Sequence, residues 1–301
     1  MARVSGIAES LDIRLKNAVK AYDLNINDLA GRTLSEGFLR YWHVGMGEAP
    51  IQLKGGELFA QDVRATSDAD ITTVHRYLPH EFLKGSAIIA GFLRREGIEL
   101  EVLSEPKLID VGHGDPVTRW KLRGLVGGVK ATSQIELTYG RGPDAFSAVN
   151  VFREIPSLIS KVPSLLINCQ PLEAAAAEKL LAVINQPDTD MRVKHVADML
   201  DERLWEGVDC GLIARELQRV CRHRGIDPTS LPDTLAVETY ERLRENWTKR
   251  FRPGMPTVGF DQAISNVDYL WSEVQDCMTP SMRPLPTSAP VVAERRVGGM
   301  R

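Results

Sequence analysis

The chain has 301 residues, 43% of them hydrophobic and 26% charged, with a formal net charge of −3. That suffices for a buried core and excludes both a disordered polyelectrolyte and a polycation that coats nucleic acid by bulk charge, so any nucleic-acid contact has to come from a local basic patch. Cys169, Cys210, Cys221 and Cys277 form no C-x-x-C pair, which excludes a disulfide scaffold and predicts a cytoplasmic protein.

No apolar run reaches the roughly 20 residues that span a bilayer, so no membrane partner is expected, and the opening MARVSGIAESLD lacks the apolar core of a signal peptide. From Ala8 to about Tyr41 apolar residues recur at helical spacing in two stripes, one through Leu11, Leu15 and Tyr22, the other through Leu29, Leu34 and Phe38. Pro50-Ile-Gln-Leu reads as a strand feeding the turn Lys54-Gly55-Gly56, with at most a short helix after it. Thr66 to Val74 alternates as a strand does, and His80 to Gly97 is amphipathic. Between Ile98 and Tyr139 three period-two runs, split by glycine turns, predict an antiparallel meander. Beyond Pro156 the composition turns helical, with helices expected at 171–184, 191–204, 209–223, 233–250 and 260–276. The proline-rich end reads as a disordered tail. The plan is α+β: a mixed-sheet domain with leading helices over 1–155, a helical domain over 156–278 and a tail over 279–301.

The chemistry concentrates in Leu53 to Ile71, LKGGELFAQDVRATSDADI. Asp68 and Asp70 are two apart, so on a strand both carboxylates leave from one face. Adjacent carboxylates repel unless a cation sits between them, and hard oxygen donors suit Mg2+ or Mn2+. Gly55-Gly56 ends the preceding strand and opens a helical turn, where bare backbone N–H groups accept phosphate. A phosphate cradle facing a metal-binding acid pair is what nucleotidyl transfer needs. Taken alone, a Gly-Gly turn or an Asp-x-Asp is an ordinary turn or a solvated strand end; their order and spacing raise them above that. No histidine has zinc spacing and there is no G-x-S-x-G elbow. The basic residues of the carboxy-terminal half read mostly as solvated helix faces, although Lys249-Arg-Phe-Arg beside Trp247 offers a grip on an RNA backbone.

The segment resembles the first motif of the AbiEii-type nucleotidyltransferase toxins of abortive-infection and MenT-like toxin–antitoxin systems: L-K-G-G, about ten residues, then R-x-T-x-D-x-D. Ser10-Leu-Asp-Ile-Arg-Leu-Lys, Leu34-Ser-Glu-Gly-Phe-Leu-Arg, Pro171-Leu-Glu-Ala-Ala-Ala-Ala-Glu-Lys and Met191-Arg-Val-Lys-His-Val-Ala-Asp resemble further family segments, so the likeness covers residues 10 to 275. It implies a polymerase-beta-like nucleotidyltransferase fold: a mixed sheet with flanking helices, a carboxy-terminal helical bundle, and the cleft between them. It also implies that Asp68 and Asp70 bind the catalytic metal, that Lys54, Gly55, Gly56 and Thr66 face the nucleotide, and that Lys179 reaches the triphosphate. Arg192, Lys194 and Asp198 would line the same cleft. A lysine on so apolar a helix calls for an anionic partner, or else snorkels to the surface. Glu136 stands where relatives carry a third carboxylate; otherwise it is an exposed strand glutamate.

Two residues depart from the pattern. Glu57 replaces a phosphate donor, and weakens nucleotide binding unless it points away or joins the metal shell. His195 replaces an expected carboxylate. The implied activity is transfer of a nucleoside monophosphate from an NTP to an acceptor hydroxyl, such as a tRNA 3′ end, by a toxin whose antitoxin partner need not bind it. Glu57 and His195 keep open a non-catalytic nucleotide-, RNA- or partner-binding member of the fold, and a protein hydroxyl is the alternative acceptor.

Overall fold

The computed structural model describes residues 6–58, 68–103, 106–109, 116–140, 151–185, 192–204, 207–250 and 259–278. Thr66 and the 279–301 tail therefore lie outside the described residues.

The helical stretch expected over 8–41, with its two apolar stripes, consists of α1 (Gly6–Tyr22) and α2 (Ile26–Arg40). Asp23 takes a left-handed φ of 52°, and the Asn25 side chain caps α2 by accepting from the N–H groups of Asn27 and Asp28. The break lets the two apolar stripes face different neighbours. α2 is buried from Leu29 to Leu39, as befits a helix that serves as the centre of a layer.

One mixed sheet follows, built from β1 (Ile51–Lys54), β2 (Asp68–Thr73), β3 (Ile98–Val102), β4 (Lys107–Ile109), β5 (Val117–Val126), β6 (Val129–Tyr139), β7 (Val151–Ile155) and β8 (Leu165–Cys169). The order is β3-β5-β6-β2-β1-β8-β7, with β4 paired to β5. The meander appears as the antiparallel β3-β5-β6 portion, whereas β6 joins β2 in parallel. The strands do not stop at residue 155. β8 pairs in parallel with β1, so the helical portion begins after Cys169. The run LLINC is short and apolar, and periodicity does not separate a buried strand from a helix segment at that length.

On one face of the sheet, Ala69, Ile71, Trp120, Leu122, Ile135 and Leu137 are buried beneath α1, α2 and α4 (Pro79–Arg94), with α3 (Trp42–Met46) packed on α4. The Phe82 ring stacks on Trp120 with centroids 4.1 Å apart and on Phe38 at 5.7 Å, joining α4, β5 and α2. Alternate residues of the same strands leave the other face polar.

The second half contains α5 (Leu172–Asn185), α6 (Arg192–Asp198), α7 (Cys210–Arg224), α8 (Val237–Arg250) and α9 (Phe260–Met278). α5 packs on α6 and α7, and also on the 3-10 turn Gly55–Leu58 that follows β1. The Gln170 N–H donates to the Leu53 carbonyl at 2.8 Å, and Arg203 Nη2 donates to the Leu58 carbonyl at 2.6 Å. The helices are thereby tied to the strand end that carries the glycines. A continuous apolar core runs through both halves, from Leu11 to Val274. Among the described residues no helix is long and apolar enough to cross a membrane.

Candidate active site

Strand register assembles the site. Antiparallel pairing sets Lys54 opposite Asp70; parallel pairing sets Asp70 opposite Glu136 and Asp68 opposite Gln134. Paired residues project to the same side, so Lys54, Asp70 and Glu136 form a row on the polar face, with Asp68 one step along. Gln134 Nε2 donates to Asp68 Oδ2 at 2.7 Å. Arg119, opposite Glu136 on β5, places Nε 2.7 Å and Nη2 2.5 Å from Oε1 of Glu136.

Gly55 lies directly against Asp70. Its φ is 81°, and a Cβ there would fall 2.1 Å from Asp70 Oδ2. Only glycine allows the carboxylate to occupy that space at that backbone angle. Gly55→Ala should lower nucleotidyl transfer by roughly 10²-fold, since a displacement of about 1 Å in a reacting site costs that much. It should also destabilise the fold by about 1–3 kcal/mol, measured by urea unfolding. The destabilisation should shrink in an Asp70→Ala background, where the obstructing oxygens are gone; an equal cost in both backgrounds would show that the contact is unimportant.

Enclosure of the site, together with the charges of Glu136 and Asp68, pushes the Asp70 carboxyl up to about 6, against the opposing pull of Lys54 and Lys179. Three acids on one face repelling one another is a donor set that suits a hard divalent cation. Among the described residues no three His, Cys, Asp or Glu side chains already converge as a metal cage, because Glu136 leans on Arg119 and Asp68 on Gln134. An ion there would rest on Asp70 and Asp68, with Glu136 adjacent.

Lys179 is buried, 6% exposed, and its Nζ lies 2.6 Å from Asp198 Oδ2, itself 1% exposed. The snorkelling alternative is thereby removed. Asp198, expected as a cleft-lining catalytic acid, directs that oxygen to Lys179. Arg192 Nη1 sits 3.2 Å from His195 Nε2; burial and the nearby Arg224 charge hold the Arg192 guanidinium below its usual range. Lys194 lies about 200° round α6 from Arg192. Two arginines whose charges act on one another suit an anionic ligand.

Glu57 takes the alternative in which it points away: its side chain is buried beneath the turn, where Ser35 Oγ of α2 donates to Oε1 at 3.3 Å. Burial, then the Glu36 charge, push its carboxyl well up, against the pull of Arg32. Arg32 Nε holds Glu36 Oε1 at 2.5 Å in the same pocket of polarity. Sequence reasoning also missed Glu178. It accepts from Gln170 Nε2 at 2.7 Å; burial would raise its carboxyl, but Lys54, Arg224, the Gln170 bond and Arg219 hold it low. Adjacency to Lys179 in Ala-Glu-Lys was the available signal. The expected RNA grip fares worse. Trp247 is 8% exposed and packs edge-on against Phe260, while Phe251 and Arg252 lie outside the described residues.

The model of a family described as nucleotidyl transferase AbiEii toxin, type IV toxin–antitoxin system, matches residues 51–266. The chain belongs to the AbiEii nucleotidyltransferase toxin family. This AbiEii chain is similar in fold to MenT4, a nucleotidyltransferase toxin from Mycobacterium tuberculosis H37Rv. The two share 17% identity at a TM-score of 0.56, over 87% of this chain and 89% of the other. It is also similar to a putative nucleotidyltransferase from H. pylori, at 13% identity and a TM-score of 0.51, over 85% and 97% of the two chains. No curated protein matches the AbiEii chain in sequence.

Proposed function

We propose that this AbiEii-family protein is a metal-dependent toxin that transfers a nucleoside monophosphate from an NTP to the 3′-hydroxyl of a tRNA. The observation that carries this reading is the row Lys54–Asp70–Glu136 with Gly55 packed against the central carboxylate. Lys54, Lys179, Arg192 and Arg224 supply the cations for a triphosphate, and Gly55-Gly56 lets it approach the backbone. A divalent ion on Asp68 and Asp70 supplies charge neutralisation for the oxygens that enter and leave phosphorus.

The acceptor oxygen bonds to the α-phosphorus, the α–β anhydride bond breaks, and pyrophosphate departs on the lysine side. Both Arg119 contacts fall on Glu136 Oε1, leaving Oε2 to orient the hydroxyl and take its proton. Glu57, turned into α2, does not oppose triphosphate binding, which weakens the case for a non-catalytic member. An antitoxin is the expected genetic partner.

Purified protein incubated with each labelled NTP, Mg2+ and total RNA should place label on tRNA. Label on protein instead would make a side-chain hydroxyl the acceptor; no label from correctly folded protein would establish the non-catalytic alternative.

A further inference from the structure

The row that holds the acids continues beyond them. β4 aligns Lys107 with Arg119, and β5 aligns Arg119 with Glu136. One line across five strands therefore reads Lys107, Arg119, Glu136, Asp70, Lys54. The acids occupy its middle and cations stand at both ends.

The two ends differ in kind. At the Lys54 end the cations sit among acids of the helical half: Lys179 on Asp198, Arg224 3.9 Å from Glu178. At the other end they stand on the exposed polar face of the sheet. Lys107 and Lys121 are exposed, and neither has an ion-pair or hydrogen-bond partner among the described residues. Lys121 is aligned with Gln134, which is aligned with Asp68. Arg119 is committed to Glu136. Arg123, one step further along β5, is held by two hydrogen bonds to Glu101, at 2.8 and 2.7 Å.

In-line displacement requires the entering hydroxyl and the departing pyrophosphate on opposite sides of phosphorus. If the cleft cations take the triphosphate, the β4–β5 lysines lie on the entering side. Lys107 and Lys121 are diagonal neighbours on adjacent strands, about 7–8 Å apart, a spacing that suits the successive phosphates of an extended nucleic-acid strand and has no counterpart in the irregular charges of a protein acceptor.

Resting on the transfer reading above, we infer that β4 and β5 form the acceptor track: the phosphodiester backbone of a single-stranded RNA end lies on Lys107 and Lys121 and delivers its 3′-hydroxyl to Glu136 and Asp70. Glu101 limits the track by occupying Arg123.

The test uses the full chain, a short fluorescein-labelled single-stranded RNA read by anisotropy, and thermal shift with each NTP plus Mg2+. Lys107→Gln with Lys121→Gln should weaken RNA binding roughly tenfold at 0.15 M salt and flatten the slope of log K against log salt by about 1.4, at about 0.7 per phosphate. The NTP-induced thermal shift should stay as in wild type. Glu101→Gln frees Arg123, so it should tighten RNA binding about two- to fourfold and steepen the slope by about 0.7; this gain guards against a loss caused by misfolding. Unchanged affinity and slope in both variants overturns the track. So does a wild-type protein that ignores RNA while labelling protein, and that result leaves the transferase reading standing. RNA binding that follows these substitutions without transfer to any acceptor supports the track and overturns the transferase reading.

Discussion

Asp68→Asn combined with Asp70→Asn should reduce nucleotidyl transfer roughly 10³-fold or more, because several kcal/mol of transition-state charge stabilisation leave with the acids. Stability should not fall with it. The Asp70 carboxyl is raised to about 6 in the folded chain from a usual value of 3.8. The folded state therefore holds that proton more tightly than the unfolded one, and the resulting stability is fully present below pH 3.8 and lost as pH rises through about 6. Above pH 7 the charged, crowded carboxylate is a burden on the metal-free fold, which an uncharged asparagine lifts. Melting curves at pH 7.5 without metal should place the double variant at or above wild type, with the gap about halved at pH 5 and closed only near pH 4. Added Mg2+ or Mn2+ should raise the wild-type midpoint and leave the variant unmoved. A variant that still transfers label, or that gains as much from metal as wild type does, would locate the ion elsewhere.

Lys179→Met should cost about 3–5 kcal/mol in urea unfolding, because it removes the cation that faces the buried Asp198 carboxylate. The cost belongs to the buried charge rather than to the pair. Lys179→Met with Asp198→Leu should accordingly recover most of the stability, as hydrophobic replacements of buried ion pairs commonly do. Transfer should remain low in the double variant, since the cation that acts on Asp70 and the triphosphate is still missing. Recovery of both stability and transfer together would make Lys179 a structural residue only. Asp198→Asn separates the roles further: the lysine stays, its anchor weakens, and KM for the NTP should rise more than kcat falls.

Much of this molecule is local and hence legible. Period-two runs disclosed β3, β5 and β6, and the alternation around Asp68 and Asp70 put both carboxylates on one face before any neighbour was known. The glycine pair disclosed a turn after β1. Other features lie outside any local window. The break at Asp23 depends on which surfaces the two leading helices meet, and β8 is a strand because β7 and β1 pair with it on its two sides.

Side-chain partners are harder still. Glu57 looks like a phosphate-loop residue in the chain, but α2 offers it Ser35 beneath the turn. Asp198 looks like a cleft acid, but α5 and α6 pack so that Lys179 takes it.

The chain alone determined which residue types are available for chemistry and which strands and turns carry them, because backbone periodicity and glycine geometry act over a few residues. Only the folded molecule decided that Lys107, Arg119, Glu136, Asp70 and Lys54 share one line, and that Glu57 does not belong to it. Register and burial are set by contacts between segments far apart in sequence, and a charge acquires its role from whatever those contacts bring within a few ångströms of it.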